Sequence, residues 1–166
     1  MVRKTTAKTK VQKKEDATNE KEHKKADADN QPAETHEILM DDKAKKLSPK
    51  NPGFVYFQLG KCIKTGELEL KMIGNDGGGL HSKEWIKLSE ILKILDKQVA
   101  DKPFKSAVLK PVFSGASANN PSFLAAVLRS PAVSLLDLTE KSAFLHRIHG
   151  DFKSRRDALL KLGTAK

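Results

Sequence analysis

Two segments after residue 50 have the hydrophobic patterns of β-strands. Phe54 to Leu59 is aromatic and β-branched, and it is bounded by Pro-Gly on one side and by a glycine on the other. Glu67 to Ile73 alternates charged with apolar residues, the pattern of a half-buried strand. The run from Gly74 to Gly79 is typical of a turn, because glycine tolerates positive φ. The pattern therefore predicts a small sheet.

Helical periodicity follows the glycine-rich run. Apolar residues recur there at spacings of three and four, which places them on one stripe of a helix, and Ser82 is a suitable N-cap in front of it. The stripe consists of Trp85, Leu88, Leu92, Leu95 and Val99. A helix this apolar needs a second partner besides a small sheet, either the C-terminal part of the chain or another subunit.

Residues 101–166 are predicted to be a helical extension. Asn120-Pro121 places proline at the first position of one helix, and Thr139 is suited to cap a second helix. A last helix is predicted from Arg155 to Leu162, because a glycine follows it.

Residues 1–50 contain few aromatic or branched apolar side chains. Such a segment buries too little area to offset the entropy of ordering its backbone, so we expect a disordered charged tail. With a sheet-plus-helix core at 51–100 and the helical extension at 101–166, the chain is predicted to be an α+β protein.

Charge adds information about the partner. The 166 residues include 31 Lys and Arg against 21 Asp and Glu, a net charge of +10. Residues 1–50 hold a net charge of +3 and residues 51–166 a net charge of +7, so the larger excess lies in the predicted folded part. A basic excess favours a polyanionic partner such as nucleic acid.

Two short motifs follow one another within residues 54–95. Phe57-Gln58-Leu59-Gly60-Lys61 has the pattern aromatic-Gln-aliphatic-Gly-Lys, and after a charged alternating strand four residues separate Leu80 from Trp85. In this order and spacing the segment resembles the positive-cofactor-four family of transcriptional coactivators, which bind single-stranded DNA. The resemblance implies a curved antiparallel sheet backed by one helix, paired into a dimer through its helices, with a single strand lying over the sheet.

The resemblance also implies particular nucleic-acid contacts. Phe57 is the candidate for stacking on a base and Lys61 the candidate for a phosphate contact, although strand alternation equally allows Phe57 to be a core residue. Four further candidates follow from charge alone: Lys64, Lys71, Arg155 and Arg156. Aromatic platforms combined with basic grooves bind single strands with little sequence preference and with a strong dependence on salt.

Catalytic and metal chemistry find little support in the sequence. The glycine-rich run lacks the Gly-Lys-Ser/Thr ending of a phosphate-binding loop. His146 and His149 are three residues apart, but no clear third ligand accompanies them. The single cysteine, Cys62, excludes an internal disulfide framework and a zinc site built from cysteines. We therefore expect a non-catalytic protein without cofactor or metal.

Three functions remain open at this stage. The first is binding of single-stranded nucleic acid in transcription or DNA maintenance, by a homodimer or higher oligomer. The second is an RNA-binding or nucleocapsid-type protein of the kind found in viruses, and the third is a scaffold whose apolar helices bind protein. The chain has neither an apolar run of about 18 residues nor a secretory leader. We therefore expect it inside the cell, in the nucleus rather than the cytoplasm, and not in a membrane.

Overall fold

The computed structural model describes residues 34–164, which form two antiparallel sheets and several helices. The first sheet has the strand order β1-β2-β3-β4 and the second the order β5-β7-β6. In chain order the elements are β1 (His36–Lys45), β2 (Phe54–Cys62), β3 (Leu68–Asn75), β4 (Trp85–Lys87), α1 (Leu88–Leu95), β5 (Phe104–Lys105), a 3-10 helix (Ser106–Val112), α2 (Asn120–Leu128), β6 (Leu136–Thr139), β7 (Ser142–Ile148) and α3 (Phe152–Leu162). The predicted α+β class is confirmed.

The centre of the first sheet follows the alternation of the sequence. Val55, Phe57 and Leu59 of β2 are buried, and in the antiparallel register Phe57 lies opposite Met72 and Leu59 opposite Leu70. These apolar pairs form one face of the sheet, because alternate residues of a strand share a face. Both strands predicted from the hydrophobic pattern are confirmed.

The N-terminal edge strand corrects the prediction for residues 1–50. Residues 36–45 are not disordered, because they form β1 and pair with β2 along the whole strand, from His36 opposite Cys62 to Lys45 opposite Phe54. Only the side chain of Ala44 is fully buried in β1, so the strand does not need the apolar content of a central strand. The part of the predicted tail before residue 34 lies outside the described residues.

The helix after the glycine-rich run begins later than predicted. Trp85 belongs to β4, which pairs with β3, and α1 starts at Leu88. The rest of the predicted stripe is buried as expected, except that Val99 lies beyond the helix and is exposed. The apolar side of α1 is covered by the C-terminal part of the same chain, chiefly the 3-10 helix.

Residues 101–166 are less helical than predicted. The helices α2 and α3 are confirmed, but the segment after Thr139 forms β7 instead of a helix. It pairs with β6 on one side and with β5 on the other, with Phe104 opposite His146. These strands are short: β6 and β7 form a local hairpin, whereas β5 pairs with β7 from far along the chain, a contact that local sequence patterns do not show.

The predicted segments 51–100 and 101–166 share one hydrophobic core. The cluster includes residues from the edge strand, the first sheet and the C-terminal helices. Its members include Ala44, Phe57, Leu95, Leu124 and Leu159. The described residues therefore form a single folding unit, with no boundary near residue 100.

Candidate nucleic-acid interface

The two faces of the first sheet differ in what they contact. One face, with Phe57 and Met72, packs against α1 and α2. The strand register places the alternate side chains on the other face, which we call the outer face. The outer face consists of His36, Ile38, Asp41, Lys43, Lys45, Phe54, Tyr56, Gln58, Gly60, Cys62, Glu69, Lys71, Gly74, Trp85 and Lys87. It combines aromatic rings with lysines, the two residue types that bind single-stranded nucleic acid.

Tyr56 has the most accessible aromatic ring of the outer face, with 37% of its surface exposed. Its hydroxyl donates a hydrogen bond of 3.0 Å to Asp76 Oδ1, which raises the pKa of Tyr56 and keeps the phenol neutral. Gly74 lies opposite Tyr56 on β3, so no side chain covers the ring from that strand. The ring is thereby fixed in orientation and remains accessible.

Two lysines of the outer face lie next to aromatic rings. Lys43, opposite Tyr56 in the register, has its Nζ 4.6 Å from the centre of the Phe54 ring. Lys71 has its Nζ 5.3 Å from the Trp85 ring. Both distances suit a cation–π contact, which holds a positive charge beside an aromatic surface. Each pair offers a phosphate ligand next to a stacking surface.

Trp85 and His36 form a stacked pair on the outer face. Their ring centroids are 3.9 Å apart, with 14° between the ring planes. Gly60 makes room for the pair, since a Cβ atom there would lie 3.0 Å from Trp85 Cη2 and 3.2 Å from His36 Cβ. The glycine of the sequence motif therefore permits a close approach of two rings over the strand.

Several charges of the outer face are already engaged in polar contacts. Gln58 Nε2 donates a hydrogen bond of 2.6 Å to Asp41 Oδ2. Lys87 lies 2.6 Å from a carboxylate oxygen of Glu67, and this hydrogen bond raises the pKa of Lys87. Lys43 and Lys71 remain as the lysines placed beside rings, which makes them the main candidates for phosphate contacts.

The residues predicted for stacking and phosphate binding do not all lie on the same face of the sheet. Phe57 has none of its surface exposed and belongs to the core, so its predicted role as a stacking platform is wrong. Lys61 lies on the same side as Phe57, at the half-buried end of β2, and Lys64 lies in the turn after that strand. Of the two predicted lysines that lie in strands, Lys61 and Lys71, only Lys71 is on the outer face.

The predicted basic pair on the last helix is separate from the outer face. The end of α3 contacts Leu68, where a Cβ on Gly163 would lie 3.0 Å from the leucine side chain. Arg156 is 3.8 Å from Asp96, which follows α1, and 3.2 Å from Asp157, while Arg155 is exposed. The helix α3 therefore packs on the helical side of the sheet, away from Tyr56 and Lys43.

The residues that the sequence analysis missed are Tyr56, Lys43, His36 and the outward position of Trp85. For Tyr56 a signal was present, because Val55, Phe57 and Leu59 are all apolar while Tyr56 and Gln58 alternate with them. That alternation favours an outward Tyr56 and a buried Phe57. For the residues of β1 there was no comparable signal, since the strand is mostly charged.

A second chemical feature lies at one end of the outer face. His36, Cys62 and Glu69 each place one ligand atom of the kind that binds metal ions within 4.8 Å of the others. Among residues 34–164 this is the one group of three or more such side chains. The paired histidines considered above do not form such a site, because His146 is buried and His149 lies near Asp137.

No protein-family model, curated protein or solved structure matches this chain. Within the described part of the chain, every helix is too short or too polar to cross a lipid bilayer.

Proposed function

We propose that this chain is a non-catalytic protein that binds single-stranded nucleic acid on the outer face of its first sheet. The observation that supports this most is the accessible ring of Tyr56 beside Lys43 and the ring of Phe54. A base stacked on such a ring gains about 1–3 kcal/mol. Bases in a duplex already stack on one another, so an aromatic platform on an open sheet favours single strands.

The charge distribution supports the same proposal. The net charge of +7 in residues 51–166 attracts a polyanion to the folded part of the chain, independently of the basic N-terminal residues. In this proposal Tyr56 stacks on a base while Lys43 and Lys71 contact phosphates. As the family resemblance implies, the protein would act as an oligomer in transcription or DNA maintenance in the nucleus.

The test is fluorescence anisotropy with labelled single-stranded DNA, RNA of the same sequence and duplex DNA, measured over a range of salt concentrations. The outer-face variant combines Tyr56→Ala with Lys43→Ala. Its matched control combines Phe144→Ala with Lys141→Ala, which removes one exposed ring and one charge from the second sheet. We expect single-strand affinity to fall roughly 5- to 100-fold in the first variant and to be nearly unchanged in the second.

Two further measurements separate stacking and charge from a general loss of structure. Tyr56→Phe keeps the ring and removes the hydroxyl, so it should bind nearly as well as the wild type. Lys43→Ala with Lys71→Ala removes two phosphate contacts and should reduce the magnitude of the slope of log K against log salt by about 1.4. A folded outer-face variant that binds as tightly as its control would refute the site.

The full chain decides between the competing functions. Absence of measurable binding to any oligonucleotide at low salt would refute both nucleic-acid functions and leave a protein-interaction scaffold. Tighter binding to RNA than to DNA would favour the RNA-binding or nucleocapsid-type alternative. Preference for the duplex would contradict the proposed stacking mechanism.

A further inference from the structure

Three neighbouring strands bring three different metal-binding side chains together at one end of the outer face. His36 of β1 lies directly opposite Cys62 of β2, and Glu69 of β3 lies opposite Gly60, two residues before the cysteine. Glu69 Oε2 is 2.8 Å from His36 Nε2. One nitrogen, one sulfur and one oxygen atom thus converge from separate strands, all within 4.8 Å of one another.

The distances suit a single small cation. In a tetrahedral zinc site the bonds are about 2.0–2.3 Å, so the ligand atoms are about 3.3–3.8 Å apart. Here one pair of ligand atoms is 2.8 Å apart, and all three atoms lie within 4.8 Å of one another. Small side-chain rotations would bring these distances to the values of a zinc site. His36 Nε2 and Glu69 Oε2 form a hydrogen bond, so a proton lies between these two atoms. A cation bound to both atoms would replace that proton.

The imidazole is held in the orientation that a ligand needs. Its side chain is only 7% exposed, and that of Glu69 is 12% exposed. The ring stacks on Trp85, and its Nδ1 lies 2.8 Å from the Thr35 hydroxyl oxygen. With a metal on Nε2, the Nδ1–H would donate to this oxygen. Such outer contacts fix the tautomer and the direction of metal-binding histidines.

The third ligand is the free thiol of Cys62, at the end of β2. A metal-bound cysteine is a thiolate, so its proton is released when the metal binds.

We propose that His36, Cys62 and Glu69 bind one divalent cation of the zinc type. The mixed nitrogen, sulfur and oxygen ligands suit zinc or cobalt(II) better than magnesium or calcium, which prefer oxygen ligands alone. Three protein ligands leave a fourth position for water. The bound ion would link the edge strand β1 to β2 and β3. This site is independent of the proposed nucleic-acid binding, since none of its three ligands is needed for stacking or phosphate contact.

The experiment is a titration of the full chain, first treated with a chelator, with cobalt(II). We expect one cobalt per chain, with visible bands of a four-coordinate ion and a near-ultraviolet band for charge transfer from thiolate to cobalt. Because Cys62 is the only cysteine of the chain, that charge-transfer band reports on this site alone. Zinc should then displace cobalt and abolish the bands.

The variants separate a metal site from a simple hydrogen bond between His36 and Glu69. Cys62→Ser should abolish the charge-transfer band, and Glu69→Gln should weaken cobalt binding roughly tenfold or more. Thr35→Ala leaves all three ligands in place and should weaken binding roughly tenfold through the orientation of His36. As a matched control, Asp137→Asn changes a carboxylate that lies 3.8 Å from another histidine, His149, and should leave the titration unchanged.

Several outcomes would overturn the proposal. One is cobalt binding without a charge-transfer band, and another is a band that Glu69→Gln leaves unchanged in strength and affinity. A ratio of one cobalt to two chains would show that the cysteine binds metal between molecules instead of within this site. None of these readouts involves nucleic acid, so failure of the metal site would leave the test of the proposed function intact.

Discussion

The indole of Trp85 stacks on the imidazole of His36 at 3.9 Å, although the two residues belong to opposite edges of the first sheet. Two strands, β2 and β3, lie between these edges, and the contact passes over Gly60 of β2, where no side chain stands in the way. The two edge strands are therefore connected through side chains as well as through the backbone ladder. This connection makes Gly60 a position where a single methyl group has a large effect.

Gly60→Ala should destabilise the fold by about 1–3 kcal/mol, because its Cβ would lie 3.0 Å from Trp85 and 3.2 Å from His36. Urea unfolding measures the loss of stability. Trp85 is the only tryptophan, so a red shift of its emission would report that the stack has opened. Gly74→Ala is the matched control, since its Cβ would make only an ordinary contact of 3.8 Å with Tyr56. Equal stability of the two variants would contradict the steric argument.

Substitution of the neighbouring aromatic residues of β2 should destabilise the fold to very different extents. Phe57→Ala empties a fully buried position and should cost about 3–5 kcal/mol of stability. Tyr56→Ala removes an exposed ring and one hydrogen bond, and should cost about 1 kcal/mol or less. Thermal unfolding of both variants checks this order. A larger loss from Tyr56→Ala would show that the assignment of the two faces is wrong.

The edge strand makes the position of an N-terminal truncation critical. A fragment of residues 34–166 keeps β1, whereas a fragment of residues 51–166 loses the strand and with it the buried side chains of Ala44 and Leu47. We expect the shorter fragment to lose cooperative unfolding, because the backbone groups of β2 lose their partners along one side. Circular dichroism melting curves of the two fragments measure the difference. Identical melting temperatures would contradict a structural role for β1.

Acid should destabilise the protein through His146. Burial, and then the nearby Arg129 guanidinium, lower the pKa of His146 from its ordinary value of 6.5 to about 4. The folded pKa is below the unfolded one, so its contribution to stability is present above pH 6.5 and is lost as the pH falls towards 4. The full loss is about 3 kcal/mol.

His146→Leu isolates this effect from the other titrating groups. Neither ring nitrogen of His146 has a hydrogen-bond partner among the described residues, so the variant should be at least as stable as the wild type at pH 7. Urea unfolding at pH 7, 5 and 4 should show the wild type losing more stability than the variant. Parallel losses in the two proteins would refute a buried neutral histidine.

The elements that could be predicted from the sequence are those with a periodic apolar face that packs into the core. The alternation in Glu67 to Ile73 gave β3, and the spacing of Leu88, Leu92 and Leu95 gave α1. The edge strand β1 was missed because its charged side chains have no periodic apolar face, and its backbone is stabilised by pairing with β2. Similarly, β7 became a strand because β5 and β6 pair with it.

Of the predicted site residues, Lys71 lies on the outer face, whereas the predicted stacking residue lies in the core. The motif drew attention to Phe57, whereas the pattern of Val55, Phe57 and Leu59 assigns that residue to the core. The outward ring, Tyr56, is one position away, and a shift of one residue reverses the face of every side chain on a strand. The cluster of His36, Cys62 and Glu69 could not be predicted, since its first member lies in a strand that the sequence pattern did not indicate.

The order of the strands also has a consequence for the kinetics of folding. In the first sheet each strand pairs with its neighbour in sequence, so only short loops close, at a small cost in chain entropy. By contrast, β5 pairs with β7, and α2 lies between them in the chain. During synthesis from the N-terminus, all four strands of the first sheet emerge before α2, which covers their apolar face. The part of that face over β1 and β2 consequently stays uncovered by α2 until the later part of the chain has been made, which exposes apolar surface of the emerging sheet to aggregation.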